Sequence, residues 1–314
     1  MCRILRGLFS RPSQRETLYV PPQHREARDF INHMQDAGGP HIHKRTVCIY
    51  GASYWGCPQI LGSGVALDLA GKKFVATAAH VLDPALDNKR AVYLSPGVTG
   101  GKWVDLDTCP VHKSQRPADK NRLNDPFDIC LIALSDRAIA TIGPGIKFTQ
   151  SWEIDYEQPR ERGAYYFVHG YPTENLRVNY WRKTVRCDAL PYGSFWYEGE
   201  RGHYPVPPNG DYLDLDFDPT KSIDRDGRAV QTPSPHGISG CGIWRLSRAG
   251  ARRVDWSAND IRLVAIEHRW NPTLHVLRGT LFSYVNQIVR NNYPEVYERT
   301  HAEWRARQRG NQTR

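Results

Sequence analysis

Three short stretches hold residues whose types and spacing could carry out chemistry together: FVATAAHVL around His80, NDPFDICLIAL around Asp128, and PHGISGCGIW around Ser239. In the third, Ser239 sits between Gly237 and Gly240, with Gly242 close behind. Glycine is costly in ordered structure unless the backbone needs a conformation other residues avoid. Two readings of this stretch stay open: a turn leading into a strand, or a nucleophile on a tight loop whose N–H groups face a substrate. A serine nucleophile needs a base, an acid to orient that base, and donors for the oxyanion. Histidine suits the first role because it titrates near neutrality. His80 follows the small residues Ala78 and Ala79 directly after a strand-like run, which lets backbone and imidazole approach closely. Asp128 opens the apolar run Ile129-Cys130-Leu131-Ile132. A carboxylate drawn partly inside by such a strand needs a hydrogen-bonding partner, and an imidazole N–H would serve. Asp125 is a competitor for this role; it precedes Pro126 and reads as a turn residue.

The elements that must position these residues are short. RTVCIY (45–50), SGVALDL (63–69), KFVATAA (73–79), RAVYL (90–94) and DICLIAL (128–134) are β-branched or aromatic and bounded by turn residues. A polar connection over 135–163 follows. A second series comprises AYYFVHGY (164–171), LRVNYWRKTV (176–185), DYLDLDF (211–217), GCGIWRL (240–246), RLVAIEH (262–268) and HVLRGTLF (275–282). Two such clusters predict two packed barrels or sandwiches. EARDFINHMQDAG predicts a short helix ended by Gly38 and Gly39, within a polar arm over 1–43. SYVNQIVRNNY predicts a helix near the end.

The 314 residues hold 40% apolar and 24% charged residues, ordinary for a globular protein large enough for two modest cores. The formal charge is +9, much of it near the ends. The stretch Glu298–Arg314 reads as a solvated tail, with a nucleic-acid tether as the alternative. Seven cysteines, an odd number without a C-x-x-C pair, argue against a zinc site or a disulfide framework and fit a reducing, cytoplasmic compartment. No apolar run reaches membrane-spanning length. On a helix, Ile4, Leu5, Leu8 and Phe9 would share an apolar face ringed by Arg3, Arg6 and Arg11, so a surface tether stands beside a frayed terminus. The aspartate-rich 216–228 stretch lacks the order of a calcium loop and reads as a solvated loop. No cofactor or metal is expected.

The order His80, Asp128, Ser239, with the contexts TAAHV, DICLI and GISG, resembles the trypsin-like (chymotrypsin-fold) serine peptidases. The likeness is closer to the HtrA-like bacterial or viral intracellular branches than to secreted digestive enzymes. GSGVAL (62–67), VHGYP (168–172) and LVAI (263–266) add to it, and the matches run from about residue 45 to 290. The resemblance implies an all-β fold of two packed antiparallel six-stranded barrels, with a polar N-terminal arm and a short C-terminal helix. The implied divisions are the arm 1–43, a first barrel 44–150 carrying His80 and Asp128, a second barrel 151–290 carrying Ser239, and a basic tail 291–314. It also implies a His80–Asp128–Ser239 triad, with the N–H groups of Gly237 and Ser239 as oxyanion hole. Pro233 stands where relatives that select Lys or Arg have an aspartate, so basic specificity is not expected. His236, Glu267 and His268 fall where the pocket walls run, and a histidine there would favour an acidic or polar substrate residue.

This chain departs from the family at two places. Ile238 replaces the aspartate that, in secreted relatives, pairs with a new N-terminal ammonium, so activation by N-terminal processing is not expected. Cys241 replaces a glycine and reads as a packed small residue, not a second nucleophile. No PDZ-sized segment follows the second barrel. The long 173–232 segment is either a recognition loop or an ornamental insertion. The expected activity is hydrolysis of peptide bonds in a protein or peptide substrate. The alternatives are a gated or inactive binding module on the same fold, and a basic nucleic-acid binder in which Ser239 is incidental.

Overall fold

The computed structural model describes residues 22–52, 58–95, 103–179, 184–199, 205–207, 210–224 and 226–312. The face proposed for Ile4 to Phe9, and Cys2 and Cys57, lie outside them.

Two antiparallel sheets account for the fold. The first joins β1 (Thr46–Ala52), β2 (Pro58–Leu69), β3 (Lys72–Ala78), β4 (Val92–Ser95), β5 (Val104–Asp105), β6 (Val111–Lys113) and β7 (Ile129–Ala133), in the order β5-β4-β1-β2-β3-β7-β6. A short strand, β8 (Thr149–Gln150), adds to β2 in parallel. The second sheet draws on β9 (Tyr165–Gly170), β12 (Leu190–Phe195), β13 (Tyr212–Asp216), β14 (Gly242–Ser247), β15 (Arg262–Asn271) and β16 (Val276–Leu281), in the order β12-β9-β14-β15-β16-β13. Between β9 and β12 stands a separate hairpin of β10 (Leu176–Asn179) and β11 (Thr184–Cys187). The predicted single strand over 176–185 is thus two. The second sheet curls until its ends meet: Ser194 Oγ donates to Asp216 O at 2.6 Å and Tyr197 N–H to Asp214 O at 2.9 Å. This is the all-β, chymotrypsin-like arrangement of two curled sheets, the first carrying more strands than the expected six.

The strand sequences are apolar on both faces because both faces are buried. Side chains alternate across a strand. On β7, Cys130 and Ile132 fill the first sheet's interior, while Ile129, Leu131 and Ala133 face the seam between the sheets. On β9, Tyr166 and Val168 fill the second interior, while Tyr165 and Phe167 enter the same seam. The seam is the continuous apolar layer that holds the two halves together.

The helices differ from expectation at both ends. Helix α1 (Pro22–His43) runs through Gly38, Gly39 and Pro40 instead of stopping there. Gly38 packs so closely on the second sheet that an added Cβ would lie 3.0 Å from Ile261 Cδ1 and 3.2 Å from Leu246 Cδ2. Met34 and Ile42 are buried in the seam, so tertiary contact outweighs glycine's low helix propensity. Helix α2 (Ala79–Asp87) follows β3 and α3 (Asp136–Ile142) follows β7; at the other end, α4 (Phe282–Asn292) matches the predicted helix, and α5 (Pro294–Gln312) follows it. The predicted solvated tail is thus helical. Val296 and Thr300 are buried, Trp304 meets Tyr156 edge-on, and the Arg307 guanidinium lies 3.7 Å over the Trp152 ring. Among the described residues, no helix is long and apolar enough to cross a membrane.

Candidate active site

His80 and Asp128 meet where β3 ends and β7 begins. Helix α2 (Ala79–Asp87) starts immediately after β3, which places His80 on its first turn. His80 Nδ1 lies 2.6 Å from Asp128 Oδ2, and the His80 backbone N–H donates to Oδ1 at 2.9 Å. The Ala79 N–H donates to the Asp128 carbonyl at 3.0 Å. The Asp128 side chain is 3% exposed and that of His80 37%. A buried acid therefore holds a half-open imidazole by Nδ1, which leaves Nε2 for exchange with a substrate or nucleophile. Asp128 adopts φ +44, a left-handed conformation that a non-glycine residue enters at a cost of about 1–3 kcal/mol. Neighbouring bonds hold it there: Thr280 Oγ1 donates to Phe127 O, and Ser114 Oγ accepts the Ile129 N–H.

Asp125 is engaged elsewhere. It is 1% exposed and accepts from Ser114 Oγ and from Arg122. The same Arg122 guanidinium reaches Asp83 on α2 through Nε at 2.6 Å, and Arg269 on β15 donates to the Arg122 carbonyl at 3.0 Å. One buried arginine thus connects the His80 helix, the approach to Asp128 and the second sheet.

The Ser239 loop is fastened to the first sheet by Ser63, on β2. The Ser63 N–H donates to Ser239 O at 2.7 Å, its Oγ donates to Gly237 O at 3.0 Å, and that Oγ accepts the Tyr171 N–H at 2.9 Å. The approach is close enough to require glycines. A Cβ on Gly240 (φ +92) would fall 2.1 Å from both Ser63 O and Thr77 Oγ1. A Cβ on Gly62 would stand 2.5 Å from Val81 Cγ2 and 2.7 Å from Ser239 O, so the residue after His80 and the serine's own backbone converge on one point.

Backbone orientation within the loop follows from its carbonyls. His236 O accepts from the Thr173 N–H at 2.8 Å and Oγ1 at 3.1 Å. Across a trans peptide the Gly237 N–H then points the opposite way. Ile238 O accepts the Cys241 N–H at 2.9 Å, which turns the Ser239 N–H outward in the same manner. Among the described residues neither N–H donates to a backbone carbonyl, whereas those of Ile238, Gly240 and Cys241 all do. Gly237, at φ +99, takes the backbone angle this geometry needs.

The pocket candidates separate into two groups. Pro233 lines a cavity of about 430 Å³ with Glu174, Thr232, Ser234 and Trp270. His236 is exposed, its ring edge-on to Trp270 at 5.9 Å. Glu267 and His268 instead lie inside, 1% and 3% exposed. A β-bulge in the pairing of β15 with β16 inserts His268 as an extra residue, so consecutive residues turn inward. His268 Nδ1 is 3.8 Å from Asp128 Oδ2, and burial holds the imidazole far below its ordinary pKa, hence neutral. Burial and the Asp128 charge push the Glu267 carboxyl up to about 8. Ile238 is buried among apolar residues of the second interior. Cys241 is fully buried there too, and burial raises its thiol well above the usual range, as suits a packed residue.

Ser63 and Arg122 were not legible in the sequence. The glycine-serine-glycine stretch 62–64 was the available signal for the first.

No protein-family model matches this chain, and neither does any curated protein. Among solved structures, it is similar to the serine endoprotease from Yersinia pestis, at 12% identity and TM-score 0.45, covering 83% of this chain and 67% of that one. It is also similar to a structure described under coupled folding and binding of the intrinsically disordered Sesbania mosaic virus VPg protein, at 14% identity and TM-score 0.41, covering 77% and 87%.

Proposed function

We propose that the chain is a serine endopeptidase of the trypsin-like kind, in its intracellular branch. The observation that carries this reading is the His80–Asp128 pair, a 2.6 Å contact between a buried carboxylate and a half-open imidazole, beside the tethered Ser239 loop. The barrels would be 44–150 and 151–290. In this reading Ser239 Oγ attacks the scissile carbonyl, His80 Nε2 accepts its proton and returns it to the leaving amine, and Asp128 stabilises the imidazolium. The outward N–H groups of Gly237 and Ser239 receive the oxyanion. The cavity beside Pro233 and Trp270 would take a substrate side chain. The five described cysteines are free and buried, in keeping with a reducing compartment.

The test is labelling by an activated fluorophosphonate. Wild-type protein is expected to label and Ser239→Ala to lose all labelling. Persistence of the label in Ser239→Ala, or no labelling of wild type under any condition, overturns the reading in favour of a binding module.

A further inference from the structure

The cavity beside Pro233 holds one charge, and it comes from outside the segment that leads into Ser239. Among the described residues that line its volume of about 430 Å³, Glu174 alone is charged; Pro219, Pro233 and Trp270 form the apolar walls. Glu174 belongs to a short turn of 3-10 helix, Thr173–Asn175, just beyond β9. That turn is fastened at both ends. The Thr173 N–H and Oγ1 donate to His236 O at 2.8 and 3.1 Å, and Asn175 Nδ2 donates to Asp188 O at 2.7 Å. The Ser234 N–H donates to Glu174 Oε2 at 3.3 Å and holds the carboxylate at the cavity. The His236 carbonyl belongs to the peptide that carries the Gly237 N–H, so the turn shares an anchor with the Ser239 loop.

Among the described residues no cation lies within ion-pair distance of Glu174. Lys221, two residues beyond Pro219, is held by Asp218 at 3.0 Å. His236 is exposed, edge-on to Trp270, and is not part of the cavity lining. The charge that a substrate side chain meets in the cavity is therefore negative.

A carboxylate among apolar walls suits a side chain with an apolar stem and a cationic head. We propose that Glu174 is a specificity-determining residue and that the cavity takes an arginine or lysine side chain of the substrate. The stem lies against Pro219, Pro233 and Trp270, and the head donates to Glu174. This rests on the reading of Ser239 as nucleophile. The expectation drawn from Pro233, that basic residues are not selected, is reversed, because the carboxylate arrives on a different loop. Arginine outdoes lysine, since a guanidinium grips a carboxylate through two N–H groups and packs well on an aromatic ring. An acidic side chain meets the Glu174 charge with no cation to offset it.

The test uses the full-length protein and peptidyl phosphonates that label a serine nucleophile. They differ only in the side chain next to phosphorus: arginine, lysine, citrulline, glutamate or leucine. Citrulline keeps the shape of arginine and lacks its charge. Wild type is expected to label about tenfold faster with the arginine probe than with citrulline, and slowest with glutamate. Ratios between probes are taken within each variant, which cancels any general effect of the substitution on the loop. Glu174→Gln brings the arginine-to-citrulline ratio to within about twofold of unity. Glu174→Arg inverts the order of the arginine and glutamate probes. The wild-type ratio shrinks as salt rises from about 50 mM to about 500 mM. An arginine preference that survives Glu174→Gln overturns the proposal, and so does a wild-type preference for leucine or glutamate. Failure of the nucleophile reading looks different: neither these probes nor a simple fluorophosphonate labels the protein, or labelling survives Ser239→Ala, and the specificity role falls with it.

Discussion

Ser63 shows how much of the candidate site depends on a residue outside the His80, Asp128 and Ser239 set. Its backbone and hydroxyl hold the carbonyls of Ser239 and Gly237, and its oxygen satisfies the buried Tyr171 N–H. Ser63→Ala keeps the backbone bond and removes the two side-chain ones. The expected outcome is a stability loss of about 1–3 kcal/mol, because a buried N–H is left without a partner. On the serine-peptidase reading, the labelling rate of Ser239 should fall about tenfold to a hundredfold, as the 237–238 peptide that leads into the serine loses its anchor. Urea unfolding and labelling on the same variant check both parts; unchanged labelling would show that the loop holds its shape alone.

At the scale of elements, Arg122 joins three segments distant in sequence: α2 through Asp83, the loop before β7 through Asp125, and β15 through Arg269. Removing Arg122 leaves the buried Asp125 without its cation, whereas Asp83 keeps Lys113 at 2.7 Å. Arg122→Met is therefore expected to cost about 3–5 kcal/mol. The additional replacement of Asp125 by Asn should recover a large share, read from urea midpoints. Much of the element plan was legible: the strands around His80, Asp128 and Ser239 are apolar runs cut by turn residues, and that signal is local. The misses are non-local. Nothing within residues 22–43 announces that Gly38 faces Leu246 and Ile261, so a helix-breaking pair of glycines read as an end. In α5 the arginines hid the inward spacing of Val296, Thr300 and Trp304. The bulge at His268 depends on strand partnership, which a single chain segment does not display.

The whole molecule combines buried groups that titrate in opposite directions. Burial lowers the His169 imidazole to about 3 and holds His268 well below its ordinary value. The unfolded chain protonates both below about pH 6.5, so stability falls as pH drops from there. Glu267, raised to about 8, acts oppositely: its unfolded counterpart loses a proton from about pH 4.5 upward. Below about pH 6.5 these two histidines, with His43, His112 and His301 lowered by burial in the same direction, outweigh it; above, Glu267 lowers stability until about pH 8. Maximum stability is therefore expected near pH 6.5. Denaturant titrations at pH steps across this range check it, and a Glu267→Gln profile should lose the alkaline decline.

The tether between Ser63 and the Ser239 loop also bears on the order in which a growing chain becomes reactive. The hydroxyl is synthesised late, long after the strand that shapes its cradle, and β15 and β16 come later still. Until those last strands have folded and docked, the serine sits on an unshaped loop without its oriented donors. On the serine-peptidase reading, a nascent polypeptide is thereby spared self-cleavage during translation, because Ser239 would gain reactivity only once the two sheets have closed on each other.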